Sequence, residues 1–234
     1  MANKKICIIS HASIKDDGRV LKTIDYFLSK GHSVWAIFPV RESFSQISNF
    51  KESKFYPIPV RKRDTPFRKI LRHTIYPVEF SYLAKEANKV DHKFDYIYVN
   101  DLPGLQAGLK IKRKNPGSKL IYDSHEIFNE TVNQFFPSDA GIFRSLIYKG
   151  FIRTMRFFGT WMESKMVKKV DLFITVNESL KNYFEKKYRV SNIKVMMNCP
   201  SIVQPRNEQD IIVDFRKKYG WSAVSRVLDR KSVV

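Results

Sequence analysis

The sequence is poor in cysteine and lacks the signatures of several enzyme classes. Its two cysteines, Cys7 and Cys199, are far apart, so they form neither a disulfide framework nor a metal-ligand pair. It has no G-x-G-x-x-G, no G-x-x-x-x-G-K-[ST] and no G-x-S-x-G. A dinucleotide site, a P-loop and a serine-hydrolase elbow are therefore unsupported. The five histidines are scattered and no Asp-x-Asp pair occurs, so we expect no metal site.

Long hydrophobic runs are also missing. No apolar run approaches the ~20 residues that span a bilayer. The first residues, MANKKICIIS, lack the apolar region and cleavage site of a signal peptide. We therefore expect a cytoplasmic protein. An apolar share of 43% in 234 residues is enough for a buried core.

Positive charge is in large excess. There are 42 lysines and arginines against 23 aspartates and glutamates, a formal net charge of +19. Such an excess indicates a polyanionic partner, which can be a nucleic acid, an anionic membrane or a phosphorylated substrate. Charge alone does not choose among the three.

Short apolar runs alternate with longer amphipathic segments. Nearly all-apolar strands that alternate with helices predict an α/β fold, a parallel sheet covered by helices on both faces. We expect the second strand to end at Pro39, and the helix over 142–169 to break near Gly150 or Gly159. The predicted strands are 4–9, 32–39, 55–60, 95–100, 119–124, 171–177 and 194–198. One predicted helix starts near Gly18. The others cover 66–90, 102–115, 142–169 and 178–188, and the first of these has a kink near Pro77.

Polar residues follow four of the predicted strands. They are Ser10 with His11, Asn100 with Asp101, Asp123 to Glu126, and Asn177 with Glu178. The carboxyl ends of parallel strands share one edge of the sheet, and ligands of such folds bind there. The four clusters therefore predict a site at that edge.

Three segments together resemble a known family. They are DDGRVLKTIDYFLSKGHSVWAI, VNDLPGLQAGLKIKRKNPGSKLIYDSHEIF and VDLFITVNESLKNYFEKKY. The chain resembles the N-terminal half of a family 4 retaining glycosyltransferase, whose B-type fold has two facing Rossmann-like domains. The resemblance implies that this half binds the acceptor and that the other half binds a nucleotide-sugar. The nucleotide-sugar is then a substrate, and no cofactor is expected.

The resemblance also assigns roles to residues of the predicted edge. It implies that His125 faces the donor sugar near its anomeric carbon, with Asp123 and Glu126 beside it as catalytic residues. It implies substrate contacts for Asp101, Asn100, Arg19, Asn177 and Glu178. Two structural alternatives remain open: His125 as a capping or core histidine, and Arg19 as an ordinary first-turn helix residue.

The resemblance further implies a domain organisation. We expect residues 1–205 to form one Rossmann-like domain. We expect 206–234 to hold an interdomain helix and a truncated, artefactual tail, because residues after Trp221 resemble nothing in the family. Without the donor domain, the fragment is expected to be inactive alone.

A second interpretation starts from the basic stretch 143–169, which is interleaved with aromatic residues. On this interpretation, the chain is a module that binds nucleic acid or an anionic membrane. Against nucleic acid, core-facing helical spacing predicts that the aromatics of this stretch are packed, and no nucleic-acid module is recognised. For a membrane, this stretch and residues 60–73 predict peripheral contact with an anionic inner leaflet, where a lipid-linked acceptor would lie. The spacing argument rests on Phe143, Leu146, Ile147, Phe151 and Ile152.

Overall fold

The structure is a computed structural model that describes residues 2–12, 14, 17–40, 54–61, 81–87, 89–90, 92–131 and 142–197. Several predictions lie outside the described residues. They concern the helical residues 66–80 with the kink near Pro77, most of the basic stretch 60–73, and the interdomain helix and tail over 206–234.

The predicted parallel sheet is confirmed. The described residues form seven parallel strands in the order β3-β2-β1-β4-β5-β6-β7. The strands from β1 to β3 extend the sheet in one direction, and those from β4 to β7 extend it in the other, so the strand order switches between β1 and β4. The strands are β1 Lys5–Ile9, β2 Ser33–Val40, β3 Phe55–Arg61, β4 Tyr96–Asn100, β5 Lys119–Ser124, β6 Leu172–Thr175 and β7 Ile193–Val195. The helices are α1 Gly18–Ser29, α2 Ser81–Ala87, α3 Asp101–Lys114, α4 Phe128–Thr131, α5 Ile142–Met166 and α6 Glu178–Tyr188, and a 3-10 turn, Val167–Lys169, follows α5.

Both faces of the sheet are covered, as the all-apolar strands predict. Ile6 and Ile8 pack on one face with Val20 and Ile24 of α1. Cys7 points to the opposite face, where the buried residues of α2, α3, α5 and α6 form the larger core. Its burial raises the pKa of the thiol far above its usual value, so Cys7 is an inert core residue.

Helix α3 approaches the sheet closely because of two glycines. A Cβ added to Gly104 would lie 2.9 Å from Val99 Cγ1, and one added to Gly108 would lie 2.5 Å from Val99 Cγ2. One turn of helix separates the two glycines, so they form a single flat surface against β4. This contact fixes the position of the first residue of α3, Asp101.

We expect Gly108→Ala to lower the free energy of unfolding by about 1–3 kcal/mol, because the added methyl overpacks the helix against Val99 and Leu120. Urea denaturation measures this loss. The control is Gly117→Ala, since an added Cβ there meets nothing within 4 Å. Equal stability of the two variants would contradict the close packing of α3.

Two expectations about element boundaries are wrong. Strand β2 continues through Pro39 to Val40. Of the strands that the structure describes, β3 alone pairs with β2 beyond Ile37, so a missing N–H is tolerated there. Helix α5 runs from Ile142 to Met166 without a break at Gly150 or Gly159. Position 159 holds a glycine because the helix packs closely there: an added Cβ would lie 2.1 Å from Oδ1 of Asn129.

A buried carboxylate lies on the inner side of α5. Glu163 is 1% exposed and accepts hydrogen bonds from the hydroxyls of Tyr122 and Tyr188 and from Nδ2 of Asn129, 2.6 Å away. Burial raises the pKa of Glu163 to about 6, although these hydrogen bonds oppose the shift. One acid thus ties α5 to β5, α4 and α6.

Candidate functional site

The predicted edge brings two strand ends side by side. Asn100, the last residue of β4, is paired with Asp123 of β5. Ser124 ends β5, and His125 and Glu126 follow it. Because β1 is the other neighbour of β4, Ser10 and His11 leave the sheet at the same edge.

Asp101 has an unusual backbone conformation. Its φ is +58°, in the left-handed region that few residues other than glycine adopt. This conformation turns the chain from β4 directly into α3. The Asp101 carboxylate thereby reaches β5 and accepts the backbone N–H of His125 at 3.1 Å. A strained residue of this kind often marks a functional site.

His125 lies between two carboxylates. Its Nδ1 is 3.5 Å from Oδ1 of Asp101, and its Nε2 is 3.4 Å from Oδ1 of Asp123. The His125 side chain is 10% exposed and each carboxylate is 4% exposed. At these distances the contacts are ion pairs rather than short hydrogen bonds. The predicted grouping of His125, Asp123 and Asp101 is therefore present.

The two carboxylates favour the imidazolium form of His125. Burial lowers the pKa of His125, but the interactions with Asp101 and Asp123 outweigh it and raise the pKa to about 9. Burial likewise raises the pKa of Asp101, and His125 and His11 together bring the net pKa below its usual value. His125 is therefore a cation at neutral pH and has no free lone pair to act as a base.

Two further residues contact this cluster. The hydroxyl of Tyr98 on β4 donates a hydrogen bond to Oδ2 of Asp123. Nδ1 of His11 lies 4.0 Å from Oδ2 of Asp101, and its ring meets Phe128 edge-on at 5.5 Å between centroids. Burial lowers the pKa of His11, and Asp101 only partly offsets this effect. We did not predict Tyr98, because it alternates with core residues along an apolar strand.

Arg19 and Glu126 lie at the border of the cluster. Arg19 is the second residue of α1, and its Nε is 3.4 Å from Oδ1 of Asp17, which caps the helix. Partial burial and the charge of Asp101 raise the pKa of Glu126, while Arg19 and His125 oppose the shift. The charge of Arg19 also lowers the pKa of His11. The substrate contact of Arg19 remains a prediction.

Asn177 and Glu178 have local structural contacts. Asn177 caps α6, and its side chain accepts the backbone N–H of Leu180 at 2.8 Å. Glu178 is exposed and forms an ion pair with Lys181 at 3.3 Å. Asn100 differs from both: its Nδ2 is buried and has no acceptor in the described part of the chain. The substrate contacts of these three residues remain predictions.

We expect Tyr98→Phe to lower the free energy of unfolding by about 1.5–3 kcal/mol, because a buried charged acceptor loses its donor. Thermal unfolding measures the effect. Tyr96→Phe is the matched control, since Tyr96 lies on the same strand but is exposed. If both variants unfold at the same temperature as the wild type, the hydrogen bond from the Tyr98 hydroxyl to Asp123 does not stabilise the fold.

The fold is that of a Rossmann-like α/β domain, and the cluster is a candidate site at the carboxyl edge of its sheet. Residues 19–199 match the family model "Glycosyltransferase Family 4". The chain therefore belongs to that family, among the glycosyltransferases. No protein of curated function matches the sequence.

Solved structures share the fold. A sucrose-phosphate synthase structure from Thermosynechococcus elongatus is similar, with a TM-score of 0.54 at 11% identity, over 93% of this chain and 98% of that one. Anabaena Alr3699/HepE in complex with UDP-glucose is similar, with a TM-score of 0.53 at 14% identity, over 93% of this chain and 50% of that one. The chain thus spans half the length of HepE. At these identities the likeness supports the fold alone, which is the one predicted for half of a B-type glycosyltransferase.

The described residues contain no group of three or more histidine, cysteine, aspartate or glutamate side chains that could hold a metal ion. Within the same part of the chain, no helix has the length and apolar composition to cross a membrane.

Proposed function

We propose that this chain is the acceptor-binding half of a retaining glycosyltransferase. The enzyme transfers a sugar from a nucleotide-sugar to a glycan or lipid-linked acceptor in cell-surface polysaccharide synthesis. The observation that carries the proposal is the placement of His125 between Asp101 and Asp123 at the carboxyl edge of the sheet. Family membership and the UDP-glucose in the HepE structure support a nucleotide-sugar as donor.

The proposed reaction needs no base from the protein. The bond between the anomeric carbon and the diphosphate oxygen breaks, and its electron pair leaves with the diphosphate. The acceptor hydroxyl oxygen bonds to the same face of that carbon, and its proton passes to the departing diphosphate. The enzyme then acts by orienting the sugars and by stabilising charge, which is compatible with a protonated His125.

The charges of the cluster suit sugar hydroxyls. One imidazolium between two carboxylates gives the cluster a net charge of −1. The four carboxylate oxygens offer more hydrogen-bond acceptor sites than the two imidazolium N–H groups can occupy. Hydroxyl groups donate to such oxygens, whereas a diphosphate is repelled by them. Cationic groups in a second half would therefore hold the diphosphate, so the chain alone binds nucleotide-sugars weakly and is inactive. We place the enzyme in the cytoplasm, peripherally on the inner face of the membrane.

A transfer assay tests this proposal. The chain is joined to a nucleotide-sugar-binding half, and incorporation of radiolabelled sugar into a glycan acceptor is measured with UDP- and GDP-sugars. His125→Gln should lower kcat at least about 100-fold, the size of effect expected for one positioned polar group. The control is His92→Gln, since His92 precedes β4 at the opposite edge of the sheet. Unchanged kcat in His125→Gln, or tight nucleotide-sugar binding by the chain alone, would contradict the proposal.

A further inference from the structure

Helix α5 exposes three large aromatic side chains on its outer side. Phe157 is 66% exposed, Phe158 41% and Trp161 49%. The expectation that the aromatics of this stretch are packed is therefore wrong for these three. Monomeric proteins bury most large apolar side chains, and a contiguous exposed set indicates a partner.

The same side of the helix is basic. Lys149, Arg153 and Lys165 are exposed and recur at multiples of four residues with Phe157 and Trp161. The ammonium group of Lys165 lies over the Trp161 ring, 3.8 Å from its centroid. Exposed Lys168 and Lys169 extend the positive charge beyond the helix. We call the set Lys149, Arg153, Phe157, Phe158, Trp161 and Lys165 the outer face of α5.

Among the described residues, no acidic group forms an ion pair with Lys149, Arg153 or Lys165. Between Ile142 and Lys169 the sequence has seven lysines and arginines and a single acid, Glu163, which is buried on the opposite side of the helix. On neighbouring elements, Glu130 forms ion pairs with Arg156 and Lys187. Asp171 likewise pairs with Lys112 and Lys119. Within the described part of the chain, the outer face thus combines exposed apolar surface with positive charge that no acid pairs.

We propose that the outer face of α5 docks on an anionic lipid bilayer, with Phe157, Phe158 and Trp161 entering the interface between the headgroups and acyl chains. A helix with lysine and arginine around a Phe/Trp surface suits this environment, where tryptophan is also favoured. This inference rests on the proposed peripheral attachment and names the surface responsible. Nucleic acid fits less well, since a stacking platform has no need for adjacent phenylalanines whose rings pack edge to face on each other, 5.6 Å apart.

The docking helix is fixed to the segment that carries His125. Asn129, four residues after His125, packs against Gly159 and donates a hydrogen bond to Glu163, both on the inner side of α5. Contact with a bilayer at the outer face would therefore hold the candidate site close to the membrane. A lipid-linked acceptor could then reach it without leaving the bilayer.

Vesicle sedimentation tests the inference with the whole chain. We expect binding to vesicles of phosphatidylcholine with 30% phosphatidylglycerol in low salt, none to pure phosphatidylcholine, and release as salt screens the charges. Lys149→Gln/Arg153→Gln/Lys165→Gln should lower the partition coefficient about 100-fold, at about fivefold for each cation. Phe157→Ala/Phe158→Ala/Trp161→Ala should lower it about tenfold and leave a weak binding that salt abolishes.

The matched control removes the same charge elsewhere. Lys30→Gln/Lys54→Gln/Lys93→Gln changes three exposed cations outside α5, and it should lower partitioning less than about threefold because none of them belongs to the outer face of α5. Equal loss in the two charge variants would overturn the inference but leave peripheral attachment standing. No binding by the wild type would overturn both. If the aromatic variant loses tight binding to single-stranded DNA, or self-association, and still binds vesicles, either result would assign the face to another partner and overturn the inference. The transfer assay with a soluble acceptor tests the proposed reaction separately.

Discussion

His125→Ala is expected to lower the free energy of unfolding by about 3–5 kcal/mol near pH 6. The substitution removes the cation between Asp101 and Asp123 and leaves two buried carboxylates facing each other, and breaking a buried ion pair on one side costs about this much. Chemical denaturation of the wild type and the variant across a pH series measures the effect.

The pH dependence identifies the cause. Because the pKa of His125 is raised from 6.5 to about 9 in the folded protein, the stabilisation is fully present below about pH 6.5 and is lost as the pH rises through 9. The shift corresponds to about 3 kcal/mol, so the difference between wild type and His125→Ala should shrink by about that amount over this range. Adding Asp123→Asn to His125→Ala should recover part of the lost free energy of unfolding, because it removes one of the two carboxylates left without a cation. A loss that does not vary with pH would contradict the ion-pair account.

Glu163→Ala is expected to be as damaging, at about 3–5 kcal/mol. It leaves the donors of Tyr122, Tyr188 and Asn129 without their acceptor and creates a cavity beneath α5. Equilibrium unfolding measured by circular dichroism reports the loss. Glu178→Ala is the control, since that glutamate is exposed, and surface substitutions of this kind usually change stability by less than about 0.5 kcal/mol.

Glu163→Gln separates charge from packing. The pKa of Glu163 is raised from 4.5 to about 6, so the folded protein holds this proton more tightly and wild-type stability falls as the pH rises from 4.5 through 6. The fall is about 2 kcal/mol and should be absent in the glutamine variant. The gap between the two proteins should therefore be widest near pH 4.5 and narrower above pH 6. A constant gap would show that the carboxyl group titrates normally.

The fold was predictable because its signals are local. Apolar runs such as the one at β1, and a stop such as Gly31, whose φ is +79°, fix the element types and hence the parallel sheet. The errors arose where the three-dimensional neighbours decide. Pro39 is tolerated because β2 has a single partner at that point, and Gly159 lies inside a continuous helix because Asn129 fills the adjacent space.

The candidate site was predictable at its strand ends and no further. Asp101, Asp123 and His125 follow apolar strands, so their convergence follows from a parallel sheet. The hydroxyl of Tyr98 and the buried acid Glu163 leave no such signal, because their partners are 25 and 41 residues away in the sequence. The exposure of Phe157 and Trp161 also depends on which side of α5 the core occupies, which the closely spaced apolar residues of 143–169 do not reveal.

The most direct test of the charged cluster is an NMR titration of His125. Protein labelled with ¹⁵N-histidine is followed from pH 5 to 10.5, and comparison with His125→Gln assigns the signal. Both ring nitrogens of His125 are expected to stay protonated at neutral pH, with a pKa near 9. Titration at or below the ordinary value of about 6.5 would show that Asp101 and Asp123 do not hold an imidazolium, and would contradict the proposed site.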